Sequence, residues 1–292
     1  MSPRHPAPLR SAPEKTSGDV ALVLGAGGAR GLSQIPVLEA LDELGLKPAV
    51  ISGCSVGAII GAAYAAGLSG AALREHVLAS FRDPPRVVAK LLDARVGKLA
   101  DLVRGLGNPV LIDGERLLDL FWPEAVPDRF DELAIPFSAT AADYHRHVEV
   151  TLSEGPLTPA VAASLAIPGL VRPVALAGHV LIDGGAINPL PYERLLAPGR
   201  TVLAIDVSAP PVATSDGRVP GAMEAIVGAS QILTRTLVQR MVERRPPDIL
   251  IRSGLDGIGG LDFFKAKAIL AAAEPIKDEV KRALERALAA TG

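Results

Sequence analysis

Cysteine is nearly absent: Cys54 is the only one in 292 residues, and tryptophan also occurs once. A lone thiol excludes an intrachain disulfide and any cysteine cluster for zinc, so a reducing cytoplasm is the simplest compartment. An excess of either charge is missing as well. Lys and Arg number 30 against 32 Asp and Glu, for a formal net charge of -2. Without a basic field to collect phosphates, nucleic acid is not an expected partner. Neither a D-x-D-x-D-G calcium loop nor an H-E-x-x-H zinc helix occurs, so no metal and no cofactor is expected. Met1 to Gly18 is rich in Pro, Arg and Ser and has no apolar core of the kind a secretory signal needs. Residues 1–18 are expected to be a disordered leader.

What is present is apolar and small. Hydrophobic residues make up 49% of the chain and charged ones 21%, with 29 Gly and 25 Pro, which excludes disorder over most of its length. Residues 19–292 are expected to form one large domain. Mean hydropathy is +0.31, and the uncharged run from Pro48 to Leu73 is long enough to cross a bilayer. Ser52, Gly53, Ser55, Gly57, Gly61, Gly67, Ser69 and Gly70 interrupt it. They divide it into a short β-branched piece and an Ala-rich piece, which reads as buried strand and helix.

Val20 to Leu24 reads as a buried strand that runs into the glycine-rich loop Gly25 to Gly31. Ile35, Leu38 and Leu41 then recur at helical spacing up to Gly45. Val50-Ile51 starts a second strand, ending at Gly53 and followed by a helix. This alternation predicts a parallel sheet with helices on both faces. Residues 70–130 read as a helical insertion near the sheet edge that lines the pocket. Further strands are expected at 137–141, 148–150, 179–182, 202–207 and 249–251. Ser208 to Pro220 reads as a loop, with helices from Met223 to Met241 and from Ile276 to Leu288.

Gly53-Cys-Ser-Val-Gly57 has the G-x-S-x-G form between a strand and a helix, the setting of a serine nucleophile on a sharp turn. Gly53 and Gly57 flank it, because side chains there would strain the turn and block the hydroxyl. The helix that follows aims its positive end at any anion formed beside Ser55. The Gly25–Gly31 loop has two readings. As a dinucleotide fingerprint it fails at one glycine in either frame and lacks the carboxylate expected about 20 residues on. As an oxyanion hole, the amides of Gly27 and Gly28 face a substrate carbonyl. The histidines are His5, His76, His145, His147 and His179, so none follows the acid of a Ser-Asp-His order. An irregular triad of Asp143 with His145 or His147 remains open. The alternative base is Asp183, at a strand end before Gly184-Gly185, placed to meet a serine at a neighbouring strand's carboxyl end.

Taken in order, these pieces resemble the patatin-like phospholipase family, in its bacterial branch related to the neuropathy target esterase catalytic domain. The resemblance covers about residues 19–292. It rests on Leu22 to Leu32, Gly53 to Ala58, Ala163-Ser-Leu-Ala-Ile-Pro-Gly169 and Leu181-Ile-Asp-Gly-Gly-Ala-Ile-Asn-Pro-Leu-Pro191. It implies a three-layer α/β/α fold with a mostly parallel central sheet and ester hydrolysis by a Ser-Asp dyad without His. Ser55 then matches the nucleophile, Asp183 the base, Gly27 and Gly28 the oxyanion glycines, and Arg30 the basic residue of the glycine-rich motif. Gly25, Gly31, Gly53, Gly57, Gly184 and Gly185 support the motifs. Ala26, Cys54 and Val56 depart from the usual residues, and Val56 is expected to narrow the acyl pocket.

The expected activity is therefore a serine acyl hydrolase acting on phospholipids, lysophospholipids or related esters. The alternative is a non-catalytic nucleotide- or metabolite-binding protein built on the Gly25 loop. The expected location is the cytoplasm, with transient contact at a membrane surface. Arg235, Arg240, Arg244 and Arg245 are expected to complement a helix C-terminus in preference to lipid head groups.

Overall fold

The computed structural model describes residues 20–96, 111–212 and 219–291. The expected leader at 1–18, part of the 70–130 insertion and part of the 208–220 loop lie outside the described residues. The central sheet runs in the order β10-β9-β1-β2-β5-β8-β7, with β6 on the other side of β5. Its strands are β1 (Val20–Leu24), β2 (Val50–Cys54), β5 (Phe137–Asp143), β6 (Val148–Leu152), β7 (Val174–Leu176), β8 (His179–Asp183), β9 (Thr201–Asp206) and β10 (Ile249–Arg252). Pairings from β10 through β5 are parallel, and those of β5 with β6 and β8, and of β7 with β8, are antiparallel. The strand β7 has no counterpart in the expectations above, being three residues long and too short for a periodic signal.

All residues of β1 and β9 are buried, as both-face coverage of a parallel sheet requires. Their alternation divides two layers. Val20, Leu22 and Leu24 pack with α1 (Ile35–Leu44), α2 (Val56–Ala65) and the C-terminal helices α8 (Ala266–Ala272) and α9 (Ile276–Thr291). Ala21 and Val23 face Leu190, Tyr192 and Val238, the last on α7 (Ala222–Arg244). The expected α/β/α sandwich is thus present. Gly45, at φ 65, closes α1, since a residue with a Cβ is disfavoured in that left-handed region.

The insertion holds α3 (Gly70–Ser80), α4 (Pro84–Asp93), the small antiparallel pair β3 (Arg95–Val96) and β4 (Leu111–Ile112), and α5 (Gly114–Phe121). Within the insertion α3 packs on α1, whereas α5 packs on α6 (Leu157–Ser164), which lies against β5, β8 and the edge strand β7. Arg74 of α3 joins Glu39 of α1 at 2.5 Å and Glu274, before α9, at 2.8 Å. Of the α7 arginines, Arg244 reaches Glu193 at 2.6 Å, Arg240 reaches Glu243 at 3.1 Å and Arg235 reaches Asp256 at 3.5 Å.

The turn from β2 into α2 is pressed against β1. A Cβ on Gly57 would meet the Leu24 carbonyl oxygen at 2.2 Å, whereas a Cβ on Gly45 would meet nothing within 4 Å. Gly57→Ala is therefore expected to cost roughly 1–3 kcal/mol or more through overpacking, and Gly45→Ala about 1 kcal/mol through its φ alone. Thermal melts check the order; equal midpoints for the two variants overturn it.

Candidate active site

The site forms where two strands meet end to end. β2 pairs with the first half of β5, ending with Cys54 opposite Thr140. β8 pairs with the second half, running the other way and ending with Asp183 opposite Ala141. Since β6 occupies the far side of β5 from Ala139 to Asp143, β2 and β8 share one side and point at each other. The carboxyl ends of β2 and β8 therefore converge on one point. The arrangement expected from sequence, a serine and a carboxylate at the ends of neighbouring strands, becomes a head-on contact across the Thr140-Ala141 step.

Ser55 caps that point with φ 56 and ψ -124, an unfavourable conformation for a residue with a Cβ that persists only where its surroundings impose it. Its N–H donates to Ser164 Oγ at 3.0 Å, and its carbonyl accepts the Ala58 N–H at 2.8 Å. The flanking glycines serve close backbone approach: a Cβ on Gly53 would meet the Gly57 carbonyl oxygen at 2.5 Å. Ser55 Oγ donates to Asp183 Oδ2 at 2.7 Å, and Asp183 Oδ1 accepts the Gly185 N–H at 2.7 Å. Ser55 is 3% exposed and Asp183 7%. Burial pushes the Asp183 carboxyl up to about 6, against the opposing pull of its hydrogen bonds from Ser55 and Gly185. Burial also drives the Cys54 thiol well above its usual range, so the adjacent sulfur stays protonated and is a poor nucleophile.

The glycine-rich loop is fastened on both sides of its centre. The N–H groups of Gly25, Ala26 and Ala29 donate to the carbonyls of Ile205, Pro189 and Gly260, at 3.1, 2.8 and 2.7 Å. Those of Gly27 and Gly28 have no acceptor among the described residues. Neither position has room for a side chain: a Cβ would meet the Val207 carbonyl oxygen at 2.5 Å from Gly27 and the Gly260 carbonyl oxygen at 2.2 Å from Gly28, itself at φ 59. Gly31 makes way for Val56, and Gly184 for the Thr140 carbonyl. Val56 packs against Gly31 and does not line the cleft, which corrects the expected narrowing of the acyl pocket. Arg30 is buried and donates from Nη1 to the Ile258 carbonyl at 2.9 Å. Burial lowers its pKa, opposed by Asp256.

A cleft of ≈ 60 Å³ opens over these groups. Besides the loop and the Ser-Asp pair, its walls are Ile167, Ser208, Ala209, Val227, Ser230, Gln231, Thr234, Gly260 and Leu261. Among the described residues none from the 70–130 insertion lines the cleft, and residues 97–110 of that expected pocket lie outside the described residues. The insertion touches the cleft's border indirectly, where Phe81 stacks on Phe263 at 5.7 Å between ring centroids. The residues missed from sequence are the α7 set, although Val227, Ser230, Gln231 and Thr234 recur at i, i+3, i+4 and i+7, and Ser164, whose motif carried no assigned role. At ≈ 60 Å³ the cleft is well below the roughly 300–1,000 Å³ of ordinary ligand sites. It suits an ester group and its nearest carbons, with Leu261 half-exposed at its border.

The irregular triad does not form. Asp143 Oδ2 lies 2.6 Å from His179 Nδ1, and Oδ1 accepts the N–H groups of His145 and Arg146 at 2.9 and 2.8 Å. These bonds, that from the Arg146 N–H foremost, bring the Asp143 carboxyl down to about 2. His145 and His147 are exposed and line a larger surface depression of ≈ 480 Å³ that contains no serine nucleophile. Among the described residues no cluster of three or more His, Cys, Asp or Glu is arranged to hold a metal.

The patatin-like phospholipase family profile matches residues 22–196. The chain belongs to the patatin-like phospholipase family. Among curated patatin-like relatives, an NTE family protein of Mycobacterium tuberculosis is 36% identical over 186 residues, covering 62% of this chain and 46% of that protein. Patatin-like phospholipase domain-containing protein 7 of Rattus norvegicus is 32% identical over 207 residues, 70% of this chain and 15% of the relative. Lysophospholipase NTE1 of Kluyveromyces lactis is 29% identical over 202 residues, 68% of this chain and 13% of that one. The chain thus spans about half the length of its mycobacterial relative and a small part of the two larger ones. Among solved structures, VipD from Legionella pneumophila aligns with a TM-score of 0.48 at 16% identity, over 93% of this chain and 67% of that chain.

With Asp143 committed to His179 and to its own turn, His145→Ala and His147→Ala are expected to leave ester turnover unchanged. Loss of p-nitrophenyl butyrate hydrolysis in either folded variant restores the histidine triad.

Proposed function

We propose that this patatin-like chain is a serine lipid acyl hydrolase, cleaving carboxylic esters of phospholipids, lysophospholipids or related lipids. The observation that carries the reading is the 2.7 Å hydrogen bond from Ser55 Oγ to Asp183 Oδ2, with the carboxyl raised to about 6 by burial. Such a base is ionised at pH 7 to 8, yet binds a proton more readily than an exposed carboxylate. Asp183 takes the hydroxyl proton as Ser55 Oγ attacks the ester carbonyl, and the oxyanion lies against the N–H groups of Gly27 and Gly28. Collapse of the tetrahedral intermediate expels the alcohol, which takes the proton from Asp183. Asp183 then accepts a proton from water as it attacks the acyl enzyme, and that proton returns to Ser55 as the carboxylic acid leaves. The lipid class of the substrate rests on the family and on relatives such as the lysophospholipase. No observation favours the nucleotide-binding alternative.

The proposed location is the cytoplasm, supported by the single cysteine, with transient contact at the membrane surface that holds the substrate. Among the described residues no helix is long and apolar enough to cross a membrane.

Ser55→Ala and Asp183→Asn are each expected to lower p-nitrophenyl butyrate hydrolysis by roughly 10³-fold or more, and Ser55→Ala to abolish labelling by a fluorophosphonate probe. Full activity in either variant overturns the dyad. In the wild type kcat/KM is expected to rise with pH through about 6, as Asp183 loses its proton; a flat profile from pH 5 to 8 speaks against it. The same raised pKa acts on stability with opposite sign. The protonated carboxyl is the form favoured by the fold, so this stabilisation is complete below the ordinary carboxylate range and lost as pH rises through about 6. At pH 8 Asp183→Asn is therefore expected to be more stable than the wild type by on the order of 1–3 kcal/mol, a gain that disappears near pH 4 in calorimetry.

A further inference from the structure

The segment Ala163–Gly169, which ends α6, sends one polar group to each half of the site. The Ser164 hydroxyl accepts the Ser55 N–H at 3.0 Å and donates to the Thr140 carbonyl at 2.6 Å. Two residues later the Ala166 carbonyl accepts the Asp183 N–H at 3.0 Å. Both contacts fall where a ladder has run out. β2 has already ended at Cys54, opposite Thr140. On the other edge of β8, β7 goes no further than Val174, opposite Leu181, and the Ala166 carbonyl takes the place of the next strand partner. Ser164 is itself fully buried, so removing its hydroxyl leaves two buried backbone groups without their partner.

We propose that Ser164 is a positioning residue for the nucleophile. Its hydroxyl, held between the Ser55 amide and the Thr140 carbonyl, keeps Ser55 in its left-handed backbone conformation and so keeps Oγ on Asp183. The proposal rests on the dyad reading above and gives the serine of the Ala163–Gly169 motif a role. The strained φ of Ser55 supplies the reason: released from Ser164, the turn relaxes toward a more favourable backbone and carries Oγ away from the carboxylate. Because the Ser55 amide is spent on Ser164, it is not a donor to the oxyanion, which leaves that task to Gly27 and Gly28.

The test uses the full chain with Ser164→Ala, Ser164→Cys and Ser164→Thr. Ser138→Ala is the control, because Ser138 Oγ donates to Ser52 Oγ at 3.0 Å on the same two strands, outside the site. With p-nitrophenyl butyrate, kcat is expected to fall roughly 10–100-fold in the Ala and Cys variants with KM unchanged, since small displacements of a reacting group carry penalties of this size. A fluorophosphonate probe is expected to label the same fraction of sites but at a correspondingly lower rate. Partial unfolding, by contrast, reduces the labelled fraction and leaves the rate per site alone. Ser164→Thr, which keeps the hydroxyl, is expected to recover most of the rate, and Ser138→Ala to match the wild type. Hydrogen exchange of the peptide spanning residues 53–57 is expected to quicken in Ser164→Ala, a readout independent of activity. Wild-type kcat per labelled site in the Ala or Cys variant overturns the proposal, as does a Thr variant as slow as Ala with its sites intact. If the wild type and Ser138→Ala are themselves inert and unlabelled, the hydrolase reading falls, and this proposal with it. The Cys variant preserves shape and decides the matter should Ser164→Ala fail to fold.

Discussion

Two strands pointing at each other along one side of β5 is the constraint on which the rest of the structure depends. In an ordinary parallel sheet the carboxyl ends of strands lie side by side, a strand spacing apart, and long side chains must bridge the gap. Here β2 and β8 approach along a common line, so Ser55 and Asp183, both with short side chains, reach hydrogen-bond distance. The arrangement leaves little room. Gly53, Gly57 and Gly184 each sit where a Cβ would strike backbone, and the Ala163–Gly169 segment supplies the partners that neither strand can give the other.

The same crowding sets the electrostatics. Among the described residues Asp183 faces no cation close enough to offset its burial; the opposing influences are hydrogen bonds from Ser55 and Gly185. Its carboxylate is thus held in a form that the fold tolerates and does not favour, a common condition of catalytic groups. The stable carboxylates lie elsewhere: Glu39 between Arg74 and Lys277, and Asp143 on His179. Asp183 and Asp143 are the same residue type and differ in partner, which sets the proposed base apart from a structural acid.

Much of this was legible in the sequence, and for local reasons. Val20–Leu24 is apolar on both faces, Gly45 ends a helix, and Gly53-Cys-Ser-Val-Gly57 needs glycine where backbone crosses backbone. The resemblance then brought Asp183 to Ser55, and the structure places them in contact. What escaped is non-local. The direction of β8 is invisible in its own residues, because parallel and antiparallel strands of five residues alternate alike. The local pattern of residues 70–130 does not show where that segment packs, and Val227, Ser230, Gln231 and Thr234 of α7, which line the cleft, lie 44 to 51 residues past Asp183 in the chain. Ser164 belongs to a motif that carries no assigned role in the sequence; its significance lies in hydrogen bonds to Ser55 and to the Thr140 carbonyl, both distant in sequence.

The end-to-end geometry also makes β5 a ruler. The separation of Ser55 from Asp183 is set by which β5 residues each strand takes as partners, Thr140 for Cys54 and Ala141 for Asp183. A slip of β8 by one residue would move the carboxylate about 3.3 Å along the strand and turn it to the opposite face of the sheet. Pairing register, which elsewhere in a sheet decides only which side chains are buried, here acts as a discrete, all-or-none control on whether the proposed nucleophile and base are in contact.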